Sequence, residues 1–162
     1  MRKFKFRLGV KKVKIAIFNV FEDKAFIFCS TLLDKGYEIL AVDDYAIGMF
    51  TESDEEKWLE VGRNSNFLYE ERKEIIEKLK SQEDLRNFYY FIKEEEIRSR
   101  KHDDISSVIN FCESNNYKLN IVSSNDEFIK NLKLFNNLKL WIIKSKDKWT
   151  ETLKDLLSEI LK

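Results

Sequence analysis

The chain of 162 residues has no proline, four glycines, two cysteines and one histidine. Its glycines are scattered, so it has neither a glycine-rich phosphate loop nor the G-x-G-x-x-G fingerprint of dinucleotide-binding proteins. The two cysteines have no repeated spacing, and together with one histidine they give no disulfide framework and no zinc-ligand spacing. No G-x-S-x-G motif is present, and any Ser- or Cys-His arrangement would have to use His102. Carboxylates are therefore the remaining candidates for chemistry.

The sequence also lacks a long apolar run and a net charge. No segment reaches membrane-spanning length, and the first residues lack the apolar core of a signal peptide, which predicts a cytoplasmic protein without membrane contact. The formal net charge is zero, so overall charge does not indicate nucleic acid or an acidic ligand. Hydrophobic residues make up 43% of the chain, enough for one substantial core, and we expect a single domain over residues 1–162.

The first residues are basic and alternate with apolar side chains. Residues 3–8 predict a half-buried strand, Gly9 allows a turn, and Val13 opens a second strand. The resulting hairpin carries its basic side chains on one face, namely Lys3, Lys5, Arg7, Lys12 and Lys14. That face either lies on a phosphate backbone or is a solvated, edge-protecting lysine face.

The segment over residues 21–36 fits two structures. As a helix it ends at Gly36, and as a strand it turns into residues 37–42 to form a hairpin. The order of an apolar segment, a glycine stop and a buried strand favours the helix.

A short apolar strand over residues 39–42 ends in Asp43 and Asp44. Carboxylates just past the end of a buried strand lie where α/β folds place ligands. Aspartates also begin turns. Both interpretations of this pair remain open.

Further helices are predicted in the middle of the chain. Ser53 and Glu56 have the spacing of a capping box. Helical spacing of apolar residues predicts one helix from Leu68, Ile75, Ile76 and Leu79, and another from Leu85, Phe88, Tyr89 and Ile92. Glu71 falls at an intermediate position of the first stripe, where it either pairs with Arg72 or points into a site.

The C-terminal half alternates helix, strand, helix, strand, helix, with strands over residues 118–123 and 138–143. This alternation predicts a three-layer α/β fold with a central, mainly parallel sheet flanked by helices and preceded by an N-terminal β-hairpin. We divide the single domain into an N-terminal extension, 1–36, and an α/β core, 37–162.

Two acidic clusters, Asp103–Asp104 and Asn125–Asp126–Glu127, each mark a predicted helix start. If both clusters face one cleft, they line a metal site with their carboxylates. If they do not, they are helix caps.

The order of an Asp pair, an amphipathic helix, an apolar strand and the run VSSNDEF at residues 122–128 resembles the C-terminal half of PIN and PIN-like (NYN-type) nucleases. This resemblance spans residues 37–145 and implies a set of acidic metal ligands. Carried over by position, they are Asp43 (or Asp44), Glu71, Asp104 with Asp103 beside it, and Asp126.

The resemblance implies a ribonuclease that hydrolyses RNA phosphodiester bonds with Mg²⁺ or Mn²⁺. The basic hairpin would then hold the RNA backbone. Two alternatives remain open: a non-enzymatic α/β binding protein of the immunity or antitoxin type, and an inactive PIN-like domain that binds RNA. A protein partner is compatible with each of these, and the sequence gives no oligomeric state.

Overall fold

The computed structural model describes residues 14–161, which form six strands and seven helices. The strands are β1 Lys14–Phe18, β2 Glu38–Asp43, β3 Phe67–Glu71, β4 Leu85–Phe91, β5 Lys118–Ser123 and β6 Leu138–Ile142. The helices are α1 Asp23–Asp34, α2 Glu52–Val61, α3 Ile75–Leu79, α4 Glu94–Ser99, α5 Asp103–Asn115, α6 Asp126–Lys130 and α7 Lys146–Leu161.

The six strands form one parallel sheet in the order β3-β2-β1-β4-β5-β6. The chain runs outward from β1 through β2 to β3, returns to the other side of β1, and runs outward again through β4, β5 and β6. The strand order therefore reverses between β1 and β4. In open α/β sheets, the crevice at such a switch point, beyond the carboxyl ends of the strands, is where ligands bind.

Helices cover both faces of the sheet, and each face has its own core. On one face the core includes residues of α1, α2 and α7, among them Phe28, Val61 and Leu156. On the other face it includes residues of α3, α5 and α6, among them Leu79 and Ile109. The predicted three-layer α/β class with a parallel sheet is confirmed.

Two segments that were predicted as helices are strands. In β4, residues 88–91 are buried on both faces of the sheet, and such central parallel strands have continuous apolar runs instead of alternation. In β3 the alternation is real, because Phe67 and Tyr69 are buried whereas 47% of Leu68 is exposed. The prediction of a helix was wrong over residues 67–71 and 85–91, because short apolar runs fit both helical and strand spacing. Ile75, Ile76 and Leu79 of the first predicted helix do lie in a helix, α3.

The helix over the ambiguous segment is confirmed as α1. It ends two residues before Gly36, which adopts a positive φ of 86°, a conformation that glycine adopts without strain. The start of α2 differs from the prediction, because the Thr51 hydroxyl, not Ser53, caps it by accepting from the Asp54 N–H at 3.2 Å.

The first strand of the predicted hairpin lies outside the described residues. Its second strand is β1, which pairs in parallel with β2 on one side and β4 on the other. Strand β1 thus lies at the centre of the sheet, and α1 belongs to the helical layer on one of its faces. The predicted division at residue 36 therefore separates these two elements from the sheet and the core to which they belong. The single domain over 1–162 stays a prediction.

No helix within residues 14–161 combines the length and the apolar character needed to cross a membrane.

Truncation of a core side chain of α1 tests the packing of this layer. Leu32 is fully buried, whereas Ile27 on the same helix is 45% exposed. We expect Leu32→Ala to lower the free energy of unfolding by about 2–5 kcal/mol and Ile27→Ala to change it by less than about 0.5 kcal/mol. Urea denaturation measures both, and equal losses would contradict this assignment of the buried face.

Candidate functional site

Polar side chains from four strand ends converge at the carboxyl edge of the sheet, beside the switch point. They are Asn19 after β1, Asp43 and Asp44 at the end of β2, Arg72 after β3, and Tyr90, Lys93 and Glu96 at or after the end of β4. Because parallel strands all end at one edge, residues far apart in sequence meet there.

Asp43 is a buried carboxylate, only 2% exposed. Its Oδ2 accepts from the Phe21 N–H at 3.0 Å, and its Oδ1 accepts from the Lys93 ammonium at 2.5 Å. A buried charge is costly unless it is paired and hydrogen-bonded, and Asp43 has both kinds of partner. It therefore ties the turn after β1 to the segment after β4.

Arg72 links the other strand ends to this pair. Its Nε donates to Asp44 Oδ1 at 2.7 Å, its Nη1 donates to the Tyr90 hydroxyl at 3.3 Å, and its Nη2 donates to the side-chain oxygen of Asn19. Lys93 also donates to Asp44 Oδ2 at 3.0 Å. Burial alone would raise the pKa of Asp44, but the two cations outweigh it and lower that pKa.

Glu96 completes the network from α4. Its carboxylate accepts from the Asn19 side-chain amide at 2.7 Å, the Tyr90 hydroxyl at 2.6 Å and the Lys93 N–H at 3.1 Å. Burial raises the pKa of Glu96 above its ordinary value, although these donors oppose the shift. Asn19 is fully buried, with a left-handed φ of 63°, and its amide also donates to the Phe91 carbonyl at 2.7 Å.

A cavity of about 250 Å³ opens over this network. We call it the switch-point crevice. Its lining includes the network residues Asp44 and Lys93 and, around them, Tyr45, Ser99, Lys101 and Asp104.

The predicted acidic ligands do not all converge, although Asp44 and Asp104 both line the switch-point crevice. Asp43 and Glu71 are register partners on adjacent strands, and Asp104 lies 3.7 Å from the Arg72 Nε. Asp126 instead lies beyond β5, where its nearest cation is Lys144 at 3.7 Å. Asp103 is exposed at the start of α5.

The predicted Mg²⁺ or Mn²⁺ site is therefore wrong. Strands β2 and β5 are three positions apart in the sheet, a separation of roughly 14 Å at about 4.8 Å per strand, whereas shared ligands approach a cation to about 2.0–2.6 Å. Among residues 14–161, no group of three or more His, Cys, Asp or Glu side chains could hold a metal ion. Lysine and arginine neutralise Asp43 and Asp44 where the metal was expected.

The basic residues predicted to bind nucleic acid do not belong to this edge as far as the structure describes them. Lys3, Lys5, Arg7 and Lys12 lie outside the described residues. Lys14 begins β1, at the amino edge of the sheet, and donates to the Gln82 side chain at 2.6 Å. RNA as a partner stays a prediction.

Sequence reasoning missed most of the polar network. Tyr90 falls within a segment that was predicted as a helix, and neither Lys93 nor Glu96 was singled out, because β4 was not recognised as a strand. The signal available for Asn19 was its place within the apolar run IAIFNVF, where a polar residue directly after a strand stands out.

No family model matches this chain, and no curated protein matches it in sequence. Solved structures do resemble it. One is a reductase engineered to attenuate substrate inhibition in asymmetric catalysis, with a TM-score of 0.45 and 16% identity over 70% of this chain and 37% of that chain. Another is Gre2 from Candida albicans, with a TM-score of 0.48 and 14% identity over 68% of this chain and 35% of that chain.

These findings overturn the resemblance to PIN-like nucleases. No family model supports such a domain. In addition, Glu71, which the resemblance placed on a helix, ends strand β3, and the carboxylates carried over as ligands are separated or paired with cations. The predicted ribonuclease activity was therefore wrong.

The strand order β3-β2-β1-β4-β5-β6 is typical of folds that bind a dinucleotide, with its pyrophosphate at the start of the first helix. The residues here do not fit that group. No glycine stands between Phe18 and the end of α1, and the helix begins with two acids, Glu22 and Asp23, where the pyrophosphate would need hydrogen-bond donors.

Removal of the central cation tests the network. The side chain of Arg72 is only 12% exposed, and its loss leaves Asp44 and the Asn19 side chain without a main partner. We expect Arg72→Ala to lower the free energy of unfolding by about 3 kcal/mol, measured by urea denaturation. Arg98→Ala removes an exposed cation from α4 and controls for the loss of charge. Equal effects of the two variants would contradict the structural role of Arg72.

The lowered pKa of Asp44 predicts a pH dependence. A carboxylate whose pKa is lower in the folded state contributes stability that is present above its unfolded pKa of about 3.9 and is lost as the pH falls through its folded value. We expect the stability gap between wild type and Asp44→Asn to close as the pH falls below about 4. Chemical denaturation across this range measures the gap, with Asp84→Asn as the control for an exposed carboxylate. A gap that is constant with pH would refute the prediction.

Proposed function

We propose that this chain binds a small neutral molecule that carries a vicinal diol, such as ribose in a nucleoside or a free sugar, in the switch-point crevice. The observation that carries the proposal is the Asp44 carboxylate. Its side chain is 42% exposed to the crevice although Arg72 and Lys93 hold both of its oxygens.

The position of Asp44 suits a diol. In α/β folds of this strand order, an acidic residue at the end of the second strand accepts hydrogen bonds from ribose hydroxyls. Each carboxylate oxygen has two lone-pair sites, so Asp44 keeps acceptor capacity beyond its bonds to Arg72 and Lys93. Because the two cations fix its orientation, little side-chain freedom remains to be lost on binding.

The surroundings of Asp44 offer the other contacts that such a ligand needs. Lys101 in the lining supplies an ammonium donor. The Ser99 hydroxyl donates to the Glu95 carbonyl at 2.7 Å and keeps acceptor capacity for a ligand hydroxyl. Tyr45 is 48% exposed and offers an aromatic surface for a sugar ring or a base. Apolar surface combined with a few fixed polar groups is typical of small-molecule sites.

The charges of the crevice favour a neutral ligand over a phosphate. Its described lining contains four carboxylates, Asp44, Glu95, Glu96 and Asp104, against three cations, Arg72, Lys93 and Lys101. Arg72 and Lys93 are already paired with aspartates. A phosphate would therefore meet an excess of negative charge.

The reductases support the fold alone. Hydride transfer would need a dinucleotide, which the turn after β1 does not fit. A cytoplasmic location is part of the proposal, since Cys29 and Cys112 are buried free thiols, as is typical of a reducing compartment.

Calorimetric titration with adenosine and with D-ribose tests the proposal and separates the two sources of a diol. We expect at least one to bind wild type, and Asp44→Asn to weaken that binding about tenfold to a hundredfold, the range for a hydrogen bond to a charged group. If adenosine binds and ribose does not, the ligand class is a nucleoside. If both bind with comparable affinity, the ligand class is a sugar.

Asp34→Asn removes an exposed carboxylate from the end of α1 and is the matched control, expected to bind as wild type does. Circular dichroism verifies the fold of each variant. The proposal fails if neither compound binds wild type, or if Asp44→Asn binds as tightly as wild type.

A further inference from the structure

We propose that the turn between β1 and α1 is an anion site closed by the protein's own carboxylates. In this proposal the carboxylates of Glu22 and Asp43 accept hydrogen bonds from backbone N–H groups that, in dinucleotide-binding folds of this strand order, donate to the pyrophosphate. The turn then holds no dinucleotide pyrophosphate and keeps its shape without one. The inference is independent of the ligand proposed for the switch-point crevice.

The N–H groups directly after β1 point to internal acceptors. Those of Asn19 and Val20 both donate to the Val42 carbonyl, at 2.8 and 3.2 Å. The N–H of Phe21 donates to the carboxylate of Asp43 at 3.0 Å. In a phosphate-binding turn these are the donors that cradle the ligand, and here each already has an acceptor.

The start of α1 is closed in the same way. The Glu22 N–H donates to the Asn19 carbonyl at 3.0 Å, and one oxygen of the Glu22 side chain accepts from the N–H groups of Lys24 and Ala25, both at 3.1 Å. A carboxylate at this position satisfies the free N–H groups of the first helical turn and complements the positive end of the helix dipole. A phosphate would have to displace it.

Packing prevents the turn from opening toward a ligand. Val20 is fully buried and Phe21 is 4% exposed. The Phe21 ring packs edge-on against Phe50 at 5.1 Å and stacks on Tyr69 at 5.6 Å between centroids. Exposure of the turn backbone would therefore pull an aromatic side chain out of the core.

Two lysines that contact the turn are also committed internally. The Lys57 ammonium of α2 donates to the Phe21 carbonyl at 2.5 Å and to the Asp23 carboxylate at 2.7 Å, and Lys93 donates to Asp43. These lysines neutralise the carboxylates that occupy the turn, instead of the phosphates of a ligand.

The experiment compares wild type with Glu22→Ala and Glu22→Gln. The Ala variant frees the N–H groups of Lys24 and Ala25, whereas the Gln variant keeps a side-chain acceptor and removes the charge. Each protein is melted with and without millimolar NADH, NADPH or inorganic pyrophosphate, and NADH binding is also followed by its fluorescence. Glu52→Ala removes an exposed acid from the first turn of α2 and serves as the control.

We expect no shift in the Tm of wild type or the control with pyrophosphate, and none with NADH or NADPH once excess adenosine occupies the switch-point crevice. Glu22→Ala should gain a rise of about 2–4 °C with pyrophosphate, since a ligand of the folded state raises the Tm, and Glu22→Gln should gain less. Binding of pyrophosphate to wild type, or binding of NADH or NADPH that excess adenosine does not displace, would overturn the inference even if Glu22→Ala does not fold. A folded Glu22→Ala that gains no pyrophosphate binding would equally overturn the role of Glu22.

Discussion

The burial of the Asp43 charge is the constraint on which the carboxyl edge depends. A carboxylate with 2% exposure must have a cation and hydrogen-bond donors within reach, and here Lys93 and the Phe21 N–H meet that need. Lys93 in turn holds Asp44, and Asp44 holds Arg72. The positions of four strand ends therefore follow from the requirement to compensate one buried charge.

The class of fold was accessible from sequence, whereas the identity of several elements was not. The alternation of helices and strands after residue 102 indicates a covered parallel sheet, and the order observed there agrees with it. The central strand β4 was missed because burial of both its faces removes the alternation by which a strand is recognised. Once β4 is read as a helix, the switch point beside it cannot be located.

The site was less predictable than the fold for a different reason. Its members approach one another only when the sheet brings Asn19, Asp44, Arg72 and Lys93 to one edge, and no local spacing encodes that meeting. Asp43 and Asp44 stood out in the sequence as carboxylates at the end of a buried strand. Their partners are cations from other strands, and a count of carboxylates along the sequence does not show how each charge is compensated.

The central place of β1 in the sheet has a consequence for the order in which the molecule can assemble. Its two neighbours are β2, which follows within about twenty residues, and β4, whose pairing joins Ile17 to Tyr89. Contacts between such distant segments require a long loop to close, and the loss of chain entropy on closure opposes them until they form. Such contacts therefore slow folding. During synthesis β1 keeps one edge uncovered until residues 85–91 have left the ribosome. A strand whose residues 15–18 are fully buried thus depends, for one of its two partners, on a segment far along the chain.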